Sequence, residues 1–523
     1  MNRLEEFLAA WRLSAAKDSP IDTIVADIEL DRLHEVAAAA RRDHAASLAM
    51  MTALDLQPES PRFRLVVVLH VPGEKRYLVL RAPVSADKPE FPTLTALFAN
   101  ANWPEREIRD MFGLTPLGHP DPRPFVWKGG WPRDLAPLRK DVKLDRAYPV
   151  ERALFPVTNV EGEGVYEVPV GPIHAGIIEP GHFRFQAVGD TMLALDAQLF
   201  FCHRGIEKMA EGRDPSSALL LAERQCGTCS VSNALTFCQA VERAARVTVP
   251  ARARALRLVV AELERVYNHV NDIAAIPGGV GFAFLGNQGL RVKEEMQRRL
   301  RALCGHRFIR NVLVPGGMRQ NFDDAAVQKI AEEFEGLWNE LKKPVKIALD
   351  HSIFLDRLET TGCLTTQNAL ALHAVGPAAR ASSVSADTRL DHPYDGYTEL
   401  GSWKIPTRQE GDVMARFRQR VAELDQSVEM LKNAAKSLPA GPVLETVGRP
   451  AAGAWAIGAT ESARGENMLL VRFGGNGLID RYAVRTASYC LWPCIPTTIR
   501  GNIVPDFPLI NKSFELCYAD VDR

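Results

Sequence analysis

The string Arg224-Gln225-Cys226-Gly227-Thr228-Cys229 sets two cysteines three positions apart. A Cys-x-x-Cys pair can present two thiolates to one metal ion, or it can work as a redox dithiol. It can also be two buried cysteines without chemistry. A thioredoxin-like use calls for a surrounding βαβ unit, and the flanking sequence has none. The chain ends on a second string of interest, Cys517-Tyr518-Ala519-Asp520-Val521-Asp522-Arg523. Cys517 and Asp520 share the three-residue offset of the first pair. Together the two strings offer three thiolates and one carboxylate, a set compatible with a single tetrahedral zinc or other divalent ion.

Elements that could position these residues follow from periodicity. Near the N-terminus, Leu4, Phe7, Leu8 and Trp11 recur at helical spacing, and a second helix is expected from about Asp31 to Ala46. Two strand-like runs, from Arg62 and from Lys75, are joined by Pro72-Gly73-Glu74 and predict a hairpin. This first region reads as a small α+β unit. From Gly118 to Asp134 the Pro, Gly and Trp content suits an irregular surface arm, and a break between Tyr148 and Val165 ends the unit. Short strands are expected at Tyr166–Val170 and Gly181–Ala187, and most of the chain beyond them reads as helical. The run Ala251–Ala275 carries Leu256, Val259, Val260, Leu263, Val266, Tyr267 and Val270 on one face, a wide apolar stripe for a bundle helix. A second long helix is expected at about Gln409–Ser437, with small β segments at Ala454–Thr460 and Asn467–Phe473.

Composition narrows the class. At roughly 150 residues per domain, 523 residues make about three domain-sized units. Lys+Arg is 63 and Asp+Glu is 64, so the net charge of −1 excludes a strongly basic nucleic-acid binder and an acidic solvating chain. No apolar run reaches the ~18–20 residues of a membrane span. The N-terminal MNRLEEFLAAWRL is a poor secretory signal. Nine cysteines are too few for a disulfide framework and point to a reducing, cytosolic compartment.

Further strings make the pattern specific. They are Gly171-Pro172-Ile173-His174, Glu179-Pro180-Gly181-His182-Phe183-Arg184, His203-Arg204-Gly205-Ile206-Glu207-Lys208, Asp387-Thr388-Arg389, Asp391-His392-Pro393-Tyr394, Ala463-Arg464-Gly465-Glu466 and Arg500-Gly501-Asn502. With them the chain resembles the large subunit of membrane-associated nickel–iron hydrogenases of the formate hydrogenlyase and hydrogenase-4 type, which is homologous to the 49 kDa subunit of respiratory complex I. The N-terminal region, through Trp103-Pro104-Glu105-Arg106-Glu107-Ile108-Arg109-Asp110-Met111-Phe112-Gly113, Gly118-His119-Pro120 and Leu138-Arg139-Lys140-Asp141, resembles the 30 kDa complex I subunit. The resemblance implies an α+β chain: a small α+β docking domain at 1–150, then a mostly α-helical nickel–iron hydrogenase-like large-subunit domain with small β sheets at 151–523.

The resemblance also implies a site and its partners. Active relatives hold nickel and iron through two Cys-x-x-Cys pairs, and soft thiolates suit such a redox metal. Here Cys226, Cys229 and Cys517 remain. Asp520 stands where the second bridging Cys belongs, Asn233 where a His belongs, and Glu515-Leu516 where Asp-Pro is usual. Arg464 matches an arginine near the metal. A hard carboxylate in place of a bridging thiolate weakens a nickel–iron cluster. The cofactor expectation is therefore an absent cluster or a single divalent metal. The closing Asp520-Val521-Asp522-Arg523 resembles the ending of complex I chains, which bind no nickel. For a quinone site, His174 aligns, but Ile178 and Gly227 occupy the positions of a second His and of a quinone-binding Tyr.

The expected role is an electron-transfer subunit with an altered, nickel-free site. A functional hydrogenase, an NADH-quinone oxidoreductase subunit and a purely structural coupling subunit are the alternatives. Expected partners are an iron–sulfur small subunit, a ferredoxin-like subunit and antiporter-like membrane subunits, with the chain peripheral on the cytoplasmic side of the inner membrane. Cys202, Cys238, Cys304 and Cys363 read as packing residues, and Cys490 and Cys494 as structural. His182 and His203 read as orienting backbone or buried acids. Arg389, Asp391 and Arg464 read either as a buried ion-pair network or as charge stabilisers of a site. Glu105, Arg106 and Asp110 read as packing against the iron–sulfur subunit.

Overall fold

The computed structural model describes residues 3–60, 62–151, 156–157, 160–174 and 179–523. Strands β1 (Thr23–Asp27), β2 (Ser47–Asp55), β3 (Arg62–His70) and β4 (Tyr77–Ser85) form one sheet in the order β1-β4-β3-β2. β1 is parallel to β4, and the other pairs are antiparallel. The β3–β4 hairpin is the expected one. β1 and β2 lie in a stretch that sequence periodicity left mixed; β1 is a strand through its long-range pairing with β4, and β2 through antiparallel pairing with the next strand, β3. The continuous apolar run of β3 reflects burial on both faces. Leu65, Val67 and Leu69 join the core shared with helices α1 (Arg3–Ala10) and α2 (Leu33–His44). Val66 and Val68, with Tyr77 and Val79 of β4, form a separate apolar layer with Ile457, Met468, Leu470 and Ala483 from the far end of the chain.

Helix α3 (Asn102–Phe112) corrects two expectations. Glu105 is fully buried and accepts from Leu94 N (2.5 Å), Thr93 Oγ1 (2.5 Å) and Thr95 Oγ1 (3.1 Å). Arg106 donates to the carbonyls of Arg123 (3.0 Å) and Pro124 (2.8 Å). Asp110 accepts from the backbone N–H groups of Phe125, Val126 and Trp127 at 2.6, 2.9 and 3.2 Å. These three side chains therefore organise their own chain instead of facing a partner. The Gly118–Asp134 segment is irregular in places, but it is not a surface arm: Phe125, Val126 and Trp127 are buried, because the helix supplies the hydrogen bonds that an irregular buried backbone needs.

The second half opens on an antiparallel meander, β5 (Val165–Val170), β6 (His182–Val188) and β7 (Thr191–Gln198), the third strand unexpected from sequence. Five long helices come next: α4 (Ser230–Ala245), α5 (Ala251–Gly278), α6 (Ala283–Cys304), α7 (Asp324–Leu349) and α8 (Val413–Lys436). Strands β8 (Trp455–Ser462), β9 (Gly465–Phe473) and β10 (Ile479–Arg485) close an antiparallel sheet against α4. Helix α5 packs against α6 and α8 and is central. Its apolar stripe is buried as expected, and so are Arg257, Glu262, Glu264, Arg265, His269 and Asp272. No helix among the described residues is long and apolar enough to cross a membrane.

Candidate functional site

The first cysteine pair sits in the turn leading into α4, with Cys229 just before the first helical residue. Helix α5 fixes that turn. Tyr267 Oη and Asn268 Nδ2 donate to the Thr228 carbonyl at 2.6 and 3.0 Å. The Glu264 carboxylate accepts from the first-turn N–H groups of Val231 (2.7 Å) and Ser232 (2.9 Å). A helix N-terminus leaves such donors without intrahelical partners, and an anion satisfies them best. Even so, burial pushes the Glu264 carboxyl up to about 7. Glu264 and Asn268 were not singled out from sequence, and Tyr267 was read only as part of the apolar stripe. Their i, i+3, i+4 spacing sets them on one side of the helix and is the signal that could have found them.

Cys517 precedes the last helix, Tyr518–Asp522, and its N–H donates to Ser488 Oγ at 3.1 Å. The fold brings Cys226, Cys229 and Cys517 together, although some 290 residues separate the two strings (517 − 226 = 291). Cys226 accepts from both Cys229 and Cys517, which with Arg464 holds it well below the usual thiol range. Cys229 and Cys517 are pushed well above it, each because it donates to Cys226 and is buried. Arg464 Nη1 lies 2.7 Å from Cys229 Sγ. A guanidinium so close favours the anion on Cys229, so one negative charge is shared between Cys226 and Cys229. Thr228 Oγ1 stands 3.6 Å from Cys226 Sγ and 3.9 Å from Cys229 Sγ.

Arg464 is aimed by the tight β8–β9 turn. Its Nε donates to the Glu515 carbonyl, and its backbone lies against Gly376. A Cβ on Gly376, whose φ is +67°, would fall 2.1 Å from the Arg464 carbonyl oxygen. Asp520 lies deeper, where the Asn233 Nδ2 donates to it at 3.3 Å. Asn233 Oδ1 in turn accepts from Asn467 Nδ2 (2.9 Å), and Asn467 Oδ1 accepts from Ala487 N (2.9 Å). Burial first, and then the negative charge on Cys226, push the Asp520 carboxyl up to about 7. Glu515 is also buried and is raised to about 8, by burial and by the nearby Asp272.

The remaining sequence candidates fall elsewhere. His174 Nε2 pairs with the Gly181 carbonyl at 2.7 Å and touches none of the three thiols in a hydrogen bond. Ile178 lies outside the described residues. Gly227 has open space around its Cα. His182 pairs with the Gly171 carbonyl (3.1 Å) and His203 with the Asp522 carbonyl (2.6 Å), so both hold backbone as expected. Arg389 bonds Asp387 (2.8 Å) and Glu262 (3.0 Å) and so serves an ion-pair network, whereas Asp391 accepts from the Asp387 N–H and holds backbone. Cys238, Cys490 and Cys494 are buried, and Cys202 and Cys304 are half-buried. Cys363 is exposed, which corrects its reading as a packing residue: it comes just after the left-handed turn at Thr360–Gly362, with its sulfur on the Thr360 carbonyl at 3.4 Å.

Among the described residues no group of three or more His, Cys, Asp and Glu side chains is arranged to hold a metal ion. The sulfurs hydrogen-bond one another, Arg464 takes Cys229, and Asn233 takes a carboxyl that is half protonated near neutrality. The donor set as arranged does not fit a nickel–iron cluster. What the arrangement can do is hold a thiolate beside two thiols, with a cation and an acid next to it.

Comparison with known proteins gives three family matches. Residues 26–148 match respiratory-chain NADH dehydrogenase, 30 kDa subunit; residues 204–272 match nickel-dependent hydrogenase; residues 283–453 match respiratory-chain NADH dehydrogenase, 49 kDa subunit. Formate hydrogenlyase subunit 5 of Escherichia coli is 33% identical over 86% of this chain and 80% of its own. Hydrogenase-4 component G of the same organism is 32% identical over 100% of this chain and 93% of its own. The NADH-quinone oxidoreductase C/D protein of Phocaeicola vulgatus is 26% identical over 95% and 99%. A chain from the membrane-bound sulfane sulfur reductase, an archaeal respiratory membrane complex, superposes with a TM-score of 0.64 at 25% identity, covering 69% of this chain and 99% of that one.

Proposed function

This chain belongs to the family of large subunits that includes formate hydrogenlyase subunit 5 and hydrogenase-4 component G, and on that premise we propose that it works through its three thiols without nickel. It is a module of a membrane-associated oxidoreductase. In this reading electrons arrive from an iron–sulfur small subunit at the Cys226–Cys229–Cys517 cluster. A ferredoxin-like subunit and antiporter-like membrane subunits complete the assembly, and the chain sits peripherally on its cytoplasmic side. Residues 1–150 form the docking domain and 151–523 the hydrogenase-like domain.

The observation that carries the reading is the 2.7 Å contact of Arg464 with Cys229 beside Cys226, which accepts from both other thiols. These thiols have partners of their own that a dinuclear metal would have to displace. Metal analysis of the purified assembly, with hydrogen-dependent dye reduction, is the test. Expected are less than a tenth of an equivalent of nickel and no dye reduction by hydrogen. Nickel near one per chain together with that activity would reverse the reading.

A second reading is favoured by the likeness to the sulfane sulfur reductase chain taken with the thiol trio. A thiolate can attack a sulfane sulfur and keep it as a persulfide while the S–S bond breaks and the shortened polysulfide leaves; a neighbouring thiol can then close a disulfide and release hydrosulfide, and two electrons from the iron–sulfur partner, with two protons, can restore both thiols. Hydrosulfide release from polysulfide by the reduced assembly separates this use from one in which the thiols only pass charge.

A further inference from the structure

From Arg464 beside the thiol cluster a line of buried acids and bases, its first link electrostatic, leads through Asp272, His269, Glu423 and Arg380 to Glu461. Its centre is His269 on α5, fully buried, with Nε2 3.5 Å from Glu423 Oε2 and Nδ1 4.0 Å from Asp272 Oδ2. Neither ring nitrogen is in a full hydrogen bond. On the inner side Asp272 pairs with Arg420 Nε at 3.0 Å, and the positive charge of Arg464 acts on it. On the outer side Glu423 is held by Arg380 through Nε and Nη2, both at 2.8 Å. Arg380 Nη1 then reaches Glu461 Oε1 at 2.8 Å, and Thr388 Oγ1 donates to Glu461 Oε2 at 3.1 Å.

Glu461 ends the line at a cavity of about 870 Å³ where the N-terminal sheet unit meets the C-terminal half. Its walls include His70, His373, Asp391, His392, Glu461 and Glu466. The cavity is furnished with titratable groups. His70 Nδ1 and His392 Nε2 are 2.9 Å apart, and His373 Nε2 stands 4.0 Å from Glu466 Oε2. A histidine set at 3.5 and 4.0 Å from two carboxylates, each clamped by its own arginine, has little structural reason to be there: a buried apolar side chain would fill the space without the desolvation cost. It does have what a relay needs, two distinct nitrogens facing two acceptors.

We propose that His269 relays protons between the thiol cluster and the seam cavity, in one transfer step and one charge-coupled step. A proton taken at Nδ1 from the Asp272 side leaves from Nε2 to Glu423, which leaves the ring in the opposite tautomer, and a turn of the ring restores the first. The proton on Glu423 removes the negative charge that Arg380 had been neutralising. The unbalanced guanidinium charge then acts on Glu461, which gives its proton to the cavity. One proton enters at the inner end and one leaves at the outer end, so that Glu423 holds the proton that Glu461 has lost, and the reverse change at the thiols resets both groups. The groups facing His269 are Asp272, Arg420, Glu423 and Arg380. Those facing Glu461 are Arg380, Thr388, Asp387, Arg389, Arg265 and Glu466. Glu461 is suited to this role because burial and Asp387 push its carboxyl up to about 7, so that it holds a releasable proton near neutrality.

The proposal rests on redox change at the thiols, and the experiment separates the two. The purified assembly is reduced with dithionite, and infrared difference spectra are recorded in H2O and D2O. Expected in the wild type are an S–H change that disappears in Cys226→Ser and a deuterium-sensitive carboxylic C=O change that disappears in Glu461→Gln. In His269→Gln and in Glu423→Gln the S–H change persists, while the Glu461 change falls at least tenfold. Glu423→Gln serves where His269→Gln fails to fold, since the amide keeps the shape of the site. An undiminished Glu461 change in either variant overturns the relay while leaving the thiol reading intact. The absence of any S–H change in the wild type removes the thiol reading, and the relay with it.

Discussion

Asn233 and Asp520, two positions at which this chain departs from the metal-binding pattern of its family, are bonded to each other at 3.3 Å. One departure accommodates the other: a carboxyl buried without a donor would be costly, and the amide supplies one. The same pair defines a pH dependence. The folded carboxyl titrates near 7, the unfolded one at about 4. Between these values the folded state binds the extra proton, so the stability present below about pH 4 is lost as pH rises through 7. Asp520→Asn keeps the hydrogen bond and removes the titration. Calorimetry at pH 5 and pH 8 should show the variant gaining on the wild type with rising pH, by a few kcal/mol at the upper end. A constant difference across that range would mean the carboxyl is not raised.

Arg464 is the cation nearest the thiols, and its loss should cost the thiolate its stabilisation. For Arg464→Gln, thiolate absorbance followed against pH should shift its midpoint upward by at least about one unit, about 1.4 kcal/mol of lost interaction. Cys363→Ser, remote and exposed, is the control that should leave the midpoint in place. An unmoved midpoint in Arg464→Gln would show that the contact at Cys229 is not electrostatically significant.

Two glycines near the site should behave oppositely. Gly376→Ala places a methyl on the Arg464 carbonyl at a left-handed φ, and should lower stability by about 3 kcal/mol or more and displace the guanidinium. Gly227→Ala meets open space and should change stability by less than about 0.5 kcal/mol. Thermal melts of the two variants check both.

What the sequence made legible here was local or motif-borne. The β3–β4 hairpin followed from two apolar runs around Pro72-Gly73-Glu74, and α5 from its apolar stripe. The meeting of Cys226, Cys229 and Cys517 followed from the order of strings along the chain. What escaped notice depends on strand pairing, which periodicity within one segment does not report. β2 becomes a strand only against β3, and β10 only against β9. The polar face of α5 was read past because periodicity reports the apolar face. Yet Glu264 holds the first turn of α4, and His269 bridges two acids. The Phe125–Trp127 backbone looked like surface because its hydrogen-bond partner, Asp110, cannot be assigned from composition.

At the seam, Tyr77 Oη donates to Glu466 Oε1 at 2.7 Å, and the ring stacks on His392 with centroids 3.9 Å apart. Tyr77→Phe keeps the stack and removes the donor, while Arg485 still holds Glu466. The expected cost is about 1–3 kcal/mol, read as a lower urea midpoint at unchanged slope. A midpoint equal to that of the wild type would mean that Arg485 and Thr388 satisfy the carboxylate alone.

The apolar layer that joins Val66, Val68, Tyr77 and Val79 to Ile457, Met468, Leu470 and Ala483 bears on assembly by number. With both sides on one chain, their meeting is intramolecular, at an effective concentration on the order of millimolar. The layer therefore never has to survive dilution, and its affinity can stay modest. Every copy of the thiol-bearing half also arrives with one sheet unit already matched to it. The ratio of the two is set at translation, and neither half spends time in the cell as a surplus orphan with that face uncovered.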